Sequence, residues 1–403
     1  MSSLPILVLN SGSSSIKFSV YEAGDGQRTR LFEGAVDGIG TDLGHFWIRD
    51  ATGNMSIDQT PAVPNRAVAF KLVADALSSG QFPAPAAIGH RTVCCSFTVR
   101  ENQLITPALI DEIERYAALA PLHTPIGVYI MRESMRLFPS IPNFAVLDTY
   151  FHRTMSEVAA SLPLPPEVGG QRYGFHGISY ESIVHQLQPD IPEKLIVAHL
   201  GNGASISAIR NGQSLDTSMS MTPVSGIVSG TRTGDLDPGI LLYLLRKIAD
   251  TTPSSREAAD RLDMLLCKKS GLLGMSGLSH DMRALRAAIA DGNARARLAV
   301  DKFTWTIARW IGSFFAELGG LDMLVFTGGV GENSIDTRAE ICSGLGALGI
   351  ELDPVRNNVR GAAVISAPHS RVIVRVIPPL EDLIIVNHVV RLMQQNASIL
   401  VAR

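Results

Sequence analysis

Covalent and metal cross-links have almost no material here. The 403 residues contain four cysteines. Cys94 and Cys95 are adjacent, Cys267 and Cys342 isolated. None has metal-ligand spacing, and four thiols are too few to staple a chain of this length. A disulfide scaffold is excluded, and a reducing, cytoplasmic compartment is expected. The ten histidines form no HExxH pair. Charge is sparse as well: 18% of residues are charged, and 35 basic against 38 acidic side chains leave a net charge of −3. With no long basic run, nucleic acid and anionic membrane are not the expected partners. No apolar run approaches the ~18 residues of a membrane span. No basic segment precedes the short apolar run at the N-terminus, so a secretory signal is not expected.

Apolar residues are plentiful, at 46%. That is ample for a core, and the length exceeds what one core usually supports, so two domains are expected. The opening stretch ILVLNSGSSSIKFSVYE reads as strand (Leu4–Leu9), turn (Asn10–Ser14) and alternating strand (Ser15–Tyr21). Near residue 194, KLIVAHLGNGASISAIRNGQSLDTS repeats the grammar: a strand, a turn over His199–Gly203, a strand, and an Asn211-Gly212 turn into a third strand. Val8-Leu9-Asn10-Ser11-Gly12 echoes Val197-Ala198-His199-Leu200-Gly201, which points to two related halves; chance similarity of two hairpins is the alternative. Helical patterns follow, at Thr106–Leu119 with Thr106 as N-cap, and in VDKFTWTIARWIGSFFAEL, where Trp305 and Trp310 are expected in the core. The stretch from Asp216 to Gly239 is a long non-periodic loop, which in a compact domain is functional or disordered. Strands and helices alternate throughout, so the class is α/β.

Several segments carry chemistry. A Ser/Gly turn leaves backbone N–H groups uncovered and adds hydroxyl donors, so the first turn can bind an anion, with Lys17 over a phosphate and Asn10 offering an oxygen to a metal. A plain Ser-rich hairpin is the alternative. Gly201 and Gly203 in HLGNGAS let the backbone approach a ligand. FTGGVGENS, a strand breaking at glycines into a helix start, suits phosphate or adenosine contact. It is no Rossmann fingerprint, because Ser334 stands where the third glycine belongs. Arg91, His123, Asp148, His176, Arg232 and Glu381 are lone polar residues in apolar or Gly-rich contexts. Each alone is more often structural than functional; their concentration at strand ends favours function.

VLNSGSSSIKF, APLHTP, LDTYFHRTM, RYGFHG, HLGNGASI, GTRTGDLDP, FTGGVGENS and IPPLEDLII, in this order across essentially the whole chain, resemble the successive motifs of the acetate kinases. The resemblance implies an α/β two-domain actin-like ATPase fold, shared with sugar kinases and heat-shock ATPases, of duplicated ribonuclease H-like βββαβαβα halves with a nucleotide cleft between domains. Residues 1–150 would form the first half, joined by a C-terminal helix at about 385–403, and 151–384 the second. It implies reversible phosphoryl transfer between ATP and acetate, giving acetyl phosphate and ADP, in a homodimer. Mg2+, with Mn2+ able to substitute, would be served by Asn10 and Glu381. ATP would meet Lys17, His199, Leu200, Gly201, Asn202, Gly203, the triplet Asp281, Met282 and Arg283, and the run Gly329, Val330, Gly331, Glu332 and Asn333. Asp148, His176 and Arg232 would be catalytic. Arg91 would bind the carboxylate or phosphate, and Val93, Leu122, His123, Phe175 and Pro223 would line the acyl side. One departure stands out: after GHRTV the family continues with a His-Gly-Gly-like run, and here it is Cys94-Cys95-Ser96. A propionate or butyrate kinase is the alternative within the class, and a non-catalytic actin-like nucleotide-binding protein the alternative outside it.

Overall fold

The computed structural model describes residues 3–24 and 26–401. They form two compact units, one running to Tyr150 and resuming at Leu380, the other spanning Phe151–Pro379. In the first unit the strands are β1 (Leu4–Ser11), β2 (Ser15–Gly24), β3 (Gln27–Asp37), β4 (His45–Asp50), β5 (Met55–Gln59), β6 (Ala87–Thr92), β7 (Gln103–Leu104) and β8 (Asn143–Leu147). They form one sheet in the order β5-β4-β3-β2-β1-β6-β8-β7. In the second, β9 (Lys194–Leu200), β10 (Ala204–Arg210), β11 (Gln213–Thr217), β12 (Met323–Thr327), β13 (Ala363–Val364) and β14 (Ile373–Val376) lie in the order β11-β10-β9-β12-β14-β13.

The two sheets share a plan. β3-β2-β1 and β11-β10-β9 are antiparallel meanders. Each continues into parallel strands, β6-β8 in the first unit and β12-β14 in the second. The echo between residues 8–12 and 197–201 therefore marks the same strand of the same topology twice. The turns differ from expectation. β1 runs on to Ser11, with Asn10 paired to Lys17 and Ser11 to Ile16, and Gly12 N donates to Ser15 O at 2.8 Å. Small polar side chains do not prevent backbone pairing, so the first turn is shorter than its composition suggests. The second closes over Gly201–Gly203, because Leu200 pairs with Ala204.

Alternation divides each strand between two faces. In the second unit Ile196, Ala198 and Leu200 pack against Phe303, Ile307, Ile311 and Phe314 of the helix Ala294–Leu318. Leu195 and Val197 pack against Tyr180, Ile183 and Val184 of the helix Gly177–Gln186. In the first unit Leu7, Leu9, Ile16 and Phe18 face Phe70, Val73 and Leu77 of the helix Arg66–Ser78. The opposite face takes the helix Glu381–Val401, and here Gly89 matters. A Cβ at that position would lie 2.6 Å from Ile385 Cγ2 and 2.8 Å from Val389 Cγ2, so glycine lets the helix close onto β6.

Two local expectations need correction. Trp305 is 52% exposed. It lies off the buried stripe of its helix, between Lys302 Nζ at 4.4 Å and Arg309 Cζ at 4.8 Å from the ring centroid, an exposed cation–π arrangement. Trp310 is half-buried and packs on Phe314. The helix capped by Thr106, whose hydroxyl accepts from Leu109 N, ends at Arg115 and passes into a 3-10 turn at Ala117–Leu119.

Candidate active site

Register assembles the first unit's polar cluster. Asn10 on β1, Lys17 on β2 and Arg91 on β6 share the face that carries the helix Glu381–Val401, near the ends of the parallel strands. Asp148 follows the end of β8, and its N–H donates to Thr92 O at 2.8 Å. Arg91 Nη2 reaches Asp148 Oδ2 at 3.2 Å, and Asp148 is buried. Burial opposes the charge on Arg91, but Asp148, Glu381 and Asp382 outweigh it and hold the guanidinium's pKa above its ordinary value. Arg91 Nε is also buried and has no hydrogen-bond partner among the described residues. Thr124 Oγ1 donates to Val93 O at 3.2 Å, tying the Leu122–His123 segment to the end of β6. Cys94 and Cys95 are buried beside it as free thiols, pushed up to about 11 and about 12 by burial.

Asp382 is a residue the sequence reading missed, although it adjoins Glu381. Ser19 Oγ donates to its Oδ2 at 2.7 Å, fixing the first turn of the terminal helix to β2. Burial raises the Asp382 carboxyl, against that hydrogen bond. Among the described residues no three His, Cys, Asp or Glu side chains converge to hold a metal by themselves.

In the second unit His176 sits at φ 58°, ψ 23° as the N-cap of its helix, left-handed backbone that non-glycine residues rarely adopt. Its ring stacks on His199 with centroids 4.3 Å apart. The Gly201–Gly203 turn lies in front of both. A Cβ on Gly203 would be 3.1 Å from Arg232 Nη1 and 3.4 Å from His176 Nε2. Arg232 is buried, and its Nη1 also donates to Pro223 O at 3.3 Å. Phe175 is buried, and its carbonyl accepts from His152 Nε2. The long loop is ordered. Gly226 N donates to Asp235 Oδ1, Asp235 N to Gly226 O, and Gly230 N to Asn202 O. These bonds zip the Arg232 segment to the glycine turn.

A cavity of about 880 Å3 opens beside this turn, within the range of ligand sites. It gathers Gly201 and Asn202, the triplet Asp281, Met282 and Arg283, and Gly329, Val330 and Asn333. Three segments far apart in the chain, from Gly201 to Asn333, thus meet on one surface. Gly331 and Glu332 turn away from it. Gly331 packs on Phe326 and Leu200, and burial raises the Glu332 carboxyl against a hydrogen bond from Gly328 N. His199, Leu200 and Gly203 are not part of the wall.

The wall also contains Arg286, Asn358 and Arg360, none of which the sequence reading named. Arg286 stands one helical turn beyond Met282, a step that periodicity could have supplied. Its guanidinium is held bidentately by Glu340 at 2.7 and 2.6 Å. No local pattern marks Arg360. Beneath the wall Arg338 is fully buried. It donates to Gly331 O, Glu332 O, Asn357 O, Val359 O and Asn357 Oδ1 at 2.8–2.9 Å. One cation therefore satisfies the C-terminal carbonyls of the short helices Gly328–Asn333 and Pro354–Asn357.

Comparison with known proteins identifies the family. The sequence profile of the acetokinase family matches residues 5–387. An acetate kinase of Geobacillus sp. (strain WCH70) is 41% identical over 401 residues, covering 96% of this chain and 98% of that one. The crystal structure of Porphyromonas gingivalis acetate kinase superposes with a TM-score of 0.81 at 36% identity, over 97% of this chain and 100% of its own. That of a propionate kinase from Francisella tularensis gives 0.85 at 34%, over 96% and 98%. The chain belongs to the acetokinase family.

Proposed function

We propose that this chain transfers the γ-phosphoryl group of ATP to acetate, reversibly and by direct in-line displacement, giving acetyl phosphate and ADP. The supporting observation is the placing of donors: Arg232 and His176 against one glycine turn that borders the cavity, and Arg91 with a buried nitrogen that has no hydrogen-bond partner among the described residues. A carboxylate acceptor resembles a glutamate side chain, with a pKa of roughly 4.3. It is already ionised at neutral pH, so no strong general base is needed. The difficulty is bringing an anion to a polyanion, and catalysis is then positioning and charge neutralisation. Arg91 binds the acceptor carboxylate. Asp148 holds Arg91 in place. His176 and Arg232 donate to the transferring phosphoryl oxygens, Arg232 as an arginine finger. The cavity between Gly201, Asp281–Arg283 and Gly329–Asn333 takes the nucleoside.

Asn10, Glu381 and Asp148 would hold Mg2+. The donor set fits. It is all oxygen, the carboxylates of Asp148, Glu381 and Asp382 surround Arg91 with negative field, and this ion keeps most of its waters and needs only one or two protein carboxylates. When bound, it offsets charge on the phosphate oxygens. Mn2+ accepts the same donors. Propionate is the second acceptor to consider, given the match to a propionate kinase structure. One methylene is worth ~1–3 kcal/mol in a small apolar pocket, so propionate should be a poorer but real substrate. The free thiols support a reducing, cytoplasmic location. A homodimer is supported by the helix Pro238–Ala249, none of whose residues is buried, with Leu242 and Tyr243 more than half exposed.

The direct test is trapping acyl phosphate with hydroxylamine, with ATP, Mg2+ and acetate, propionate or butyrate in turn. Hydroxamate with acetate strongest is the expected outcome. ATP binding with no hydroxamate from any acid would leave a non-catalytic nucleotide-binding protein instead.

A further inference from the structure

Behind the glycine turn lies a buried polar network whose direction can be deduced. His176 Nδ1 is 2.7 Å from Ser205 Oγ. The same Oγ is hydrogen-bonded to the Tyr180 hydroxyl. Ser205 and Tyr180 are both fully buried. The neighbouring ring repeats half of this device: His199 Nδ1 is 2.8 Å from Ser179 Oγ. In both rings a serine meets Nδ1 while Nε2 faces the Gly201–Gly203 turn. His176 Nε2 lies 3.4 Å from the Cβ position of Gly203, and His199 Nε2 3.8 Å from that of Gly201.

We propose that Tyr180 and Ser205 are positioning residues for His176. They form a one-way relay, Tyr180 O–H to Ser205 Oγ and Ser205 O–H to His176 Nδ1, which fixes the imidazole as the tautomer with its proton on Nε2. This rests on the reading of His176 as a donor to the transferring phosphoryl group. A serine hydroxyl has one proton, so Ser205 donates to Nδ1 or to Tyr180, not to both. Run in reverse, Nδ1–H would donate to Ser205 and Ser205 to Tyr180. A neutral ring would then turn its Nε2 lone pair toward an oxyanion, a repulsive contact. Run forward, Nδ1 is the acceptor and Nε2–H is aimed at the anion. Which nitrogen carries the proton is set by the partner of the other, and here that partner is itself fixed by a phenol. The left-handed backbone at His176 aims the ring and the relay sets its proton. A buried hydroxyl pair thereby adjusts a step it never touches.

The wild-type protein decides the tautomer directly, by 15N NMR of histidine-labelled enzyme with ADP bound. The expected spectrum places the His176 proton on Nε2 and makes Nδ1 a hydrogen-bond acceptor; a proton on Nδ1 alone overturns the relay. Tyr180→Phe, nearly isosteric, and Ser205→Ala should each lower kcat about tenfold, the worth of one such bond, with KM for ATP little changed and a mixed tautomer in the spectrum. Ser205→Thr, which keeps the hydroxyl, should restore both. Unchanged kcat and an unchanged tautomer in both Tyr180→Phe and Ser205→Ala would overturn the proposal. If His176→Ala retained full kcat while the wild-type spectrum still showed the Nε2 proton, the donor role of His176 would fall, and the relay's part in catalysis with it.

Discussion

Replacing Arg338 by lysine should damage the proposed nucleotide cavity from beneath, without touching any group that faces it. The guanidinium makes five hydrogen bonds to four carbonyls and one amide oxygen, at full burial. Burial depresses its pKa, so the site tolerates the charge because oxygen dipoles surround it, not because a carboxylate pairs with it. Lysine keeps the charge but has three donors and no planar fork. At least two buried oxygens lose their partner. At about 1–3 kcal/mol for each unsatisfied group, the cost is about 3 kcal/mol or more. In a unit of this size that lowers Tm by roughly 6–12 °C. The same bonds hold Asn357 and Val359, on either side of Asn358 and just before Arg360, and the end of the helix whose first turn carries Gly329 and Val330. ADP affinity should therefore fall together with stability. Thermal unfolding followed by circular dichroism, and ADP titration below the new Tm, measure the two effects. A Tm within 2 °C of wild type together with unchanged ADP affinity would refute the clamp.

Arg232→Ala should cost several orders of magnitude in kcat with modest change in ATP affinity, on the scale of arginine fingers, ~10³–10⁵; near-normal kcat in the acyl-hydroxamate assay would end that assignment. Gly203→Ala should lower kcat at least tenfold by pushing into Arg232 and His176, and a wild-type rate would mean that the turn has room to spare. His90 is buried with its pKa lowered to about 4, mainly by burial, and its Nε2 lies 2.7 Å from Asn143 Oδ1. The unfolded chain takes up this proton near pH 6.5, so the stability is present above 6.5 and lost as pH falls toward 4, by up to about 3 kcal/mol. His90→Gln should flatten urea-midpoint profiles over that range, and an identical slope in the variant would assign the loss to other groups.

How much of this was legible before any coordinates depends on whether a residue's role is local. The echo between Val8–Gly12 and Val197–Gly201 was readable because strand periodicity and a glycine are short-range signals. The structure then adds that both strands hold the same place in the same sheet order. Of the cavity's three segments, the Gly201 turn and the Gly329 stretch were readable as loops that approach a ligand or phosphate, whereas the Asp281–Arg283 triplet and the meeting of all three followed from the resemblance. Composition misled at the first turn, where Asn10 and Ser11 pair as strand. Side-chain size misled at Trp305, which two cations hold in solvent. The misses share a cause. Arg338, Asp382, Ser205 and Tyr180 act through polar contacts with other parts of the chain, and such contacts leave no period in the sequence. An arginine in IDTRAEIC reads as an exposed helix residue, because arginine is almost never fully buried without partners. Only the carbonyl ends of two short helices, which no pattern announces, make its burial possible. The same holds for Tyr180 in HGISYESIV, a fully buried residue of the helix Gly177–Gln186 whose hydroxyl reaches Ser205. The proposed site thus draws on two kinds of residue: those in glycine-rich loops, which announce themselves, and the buried polar groups that hold them, which have to be seen in place.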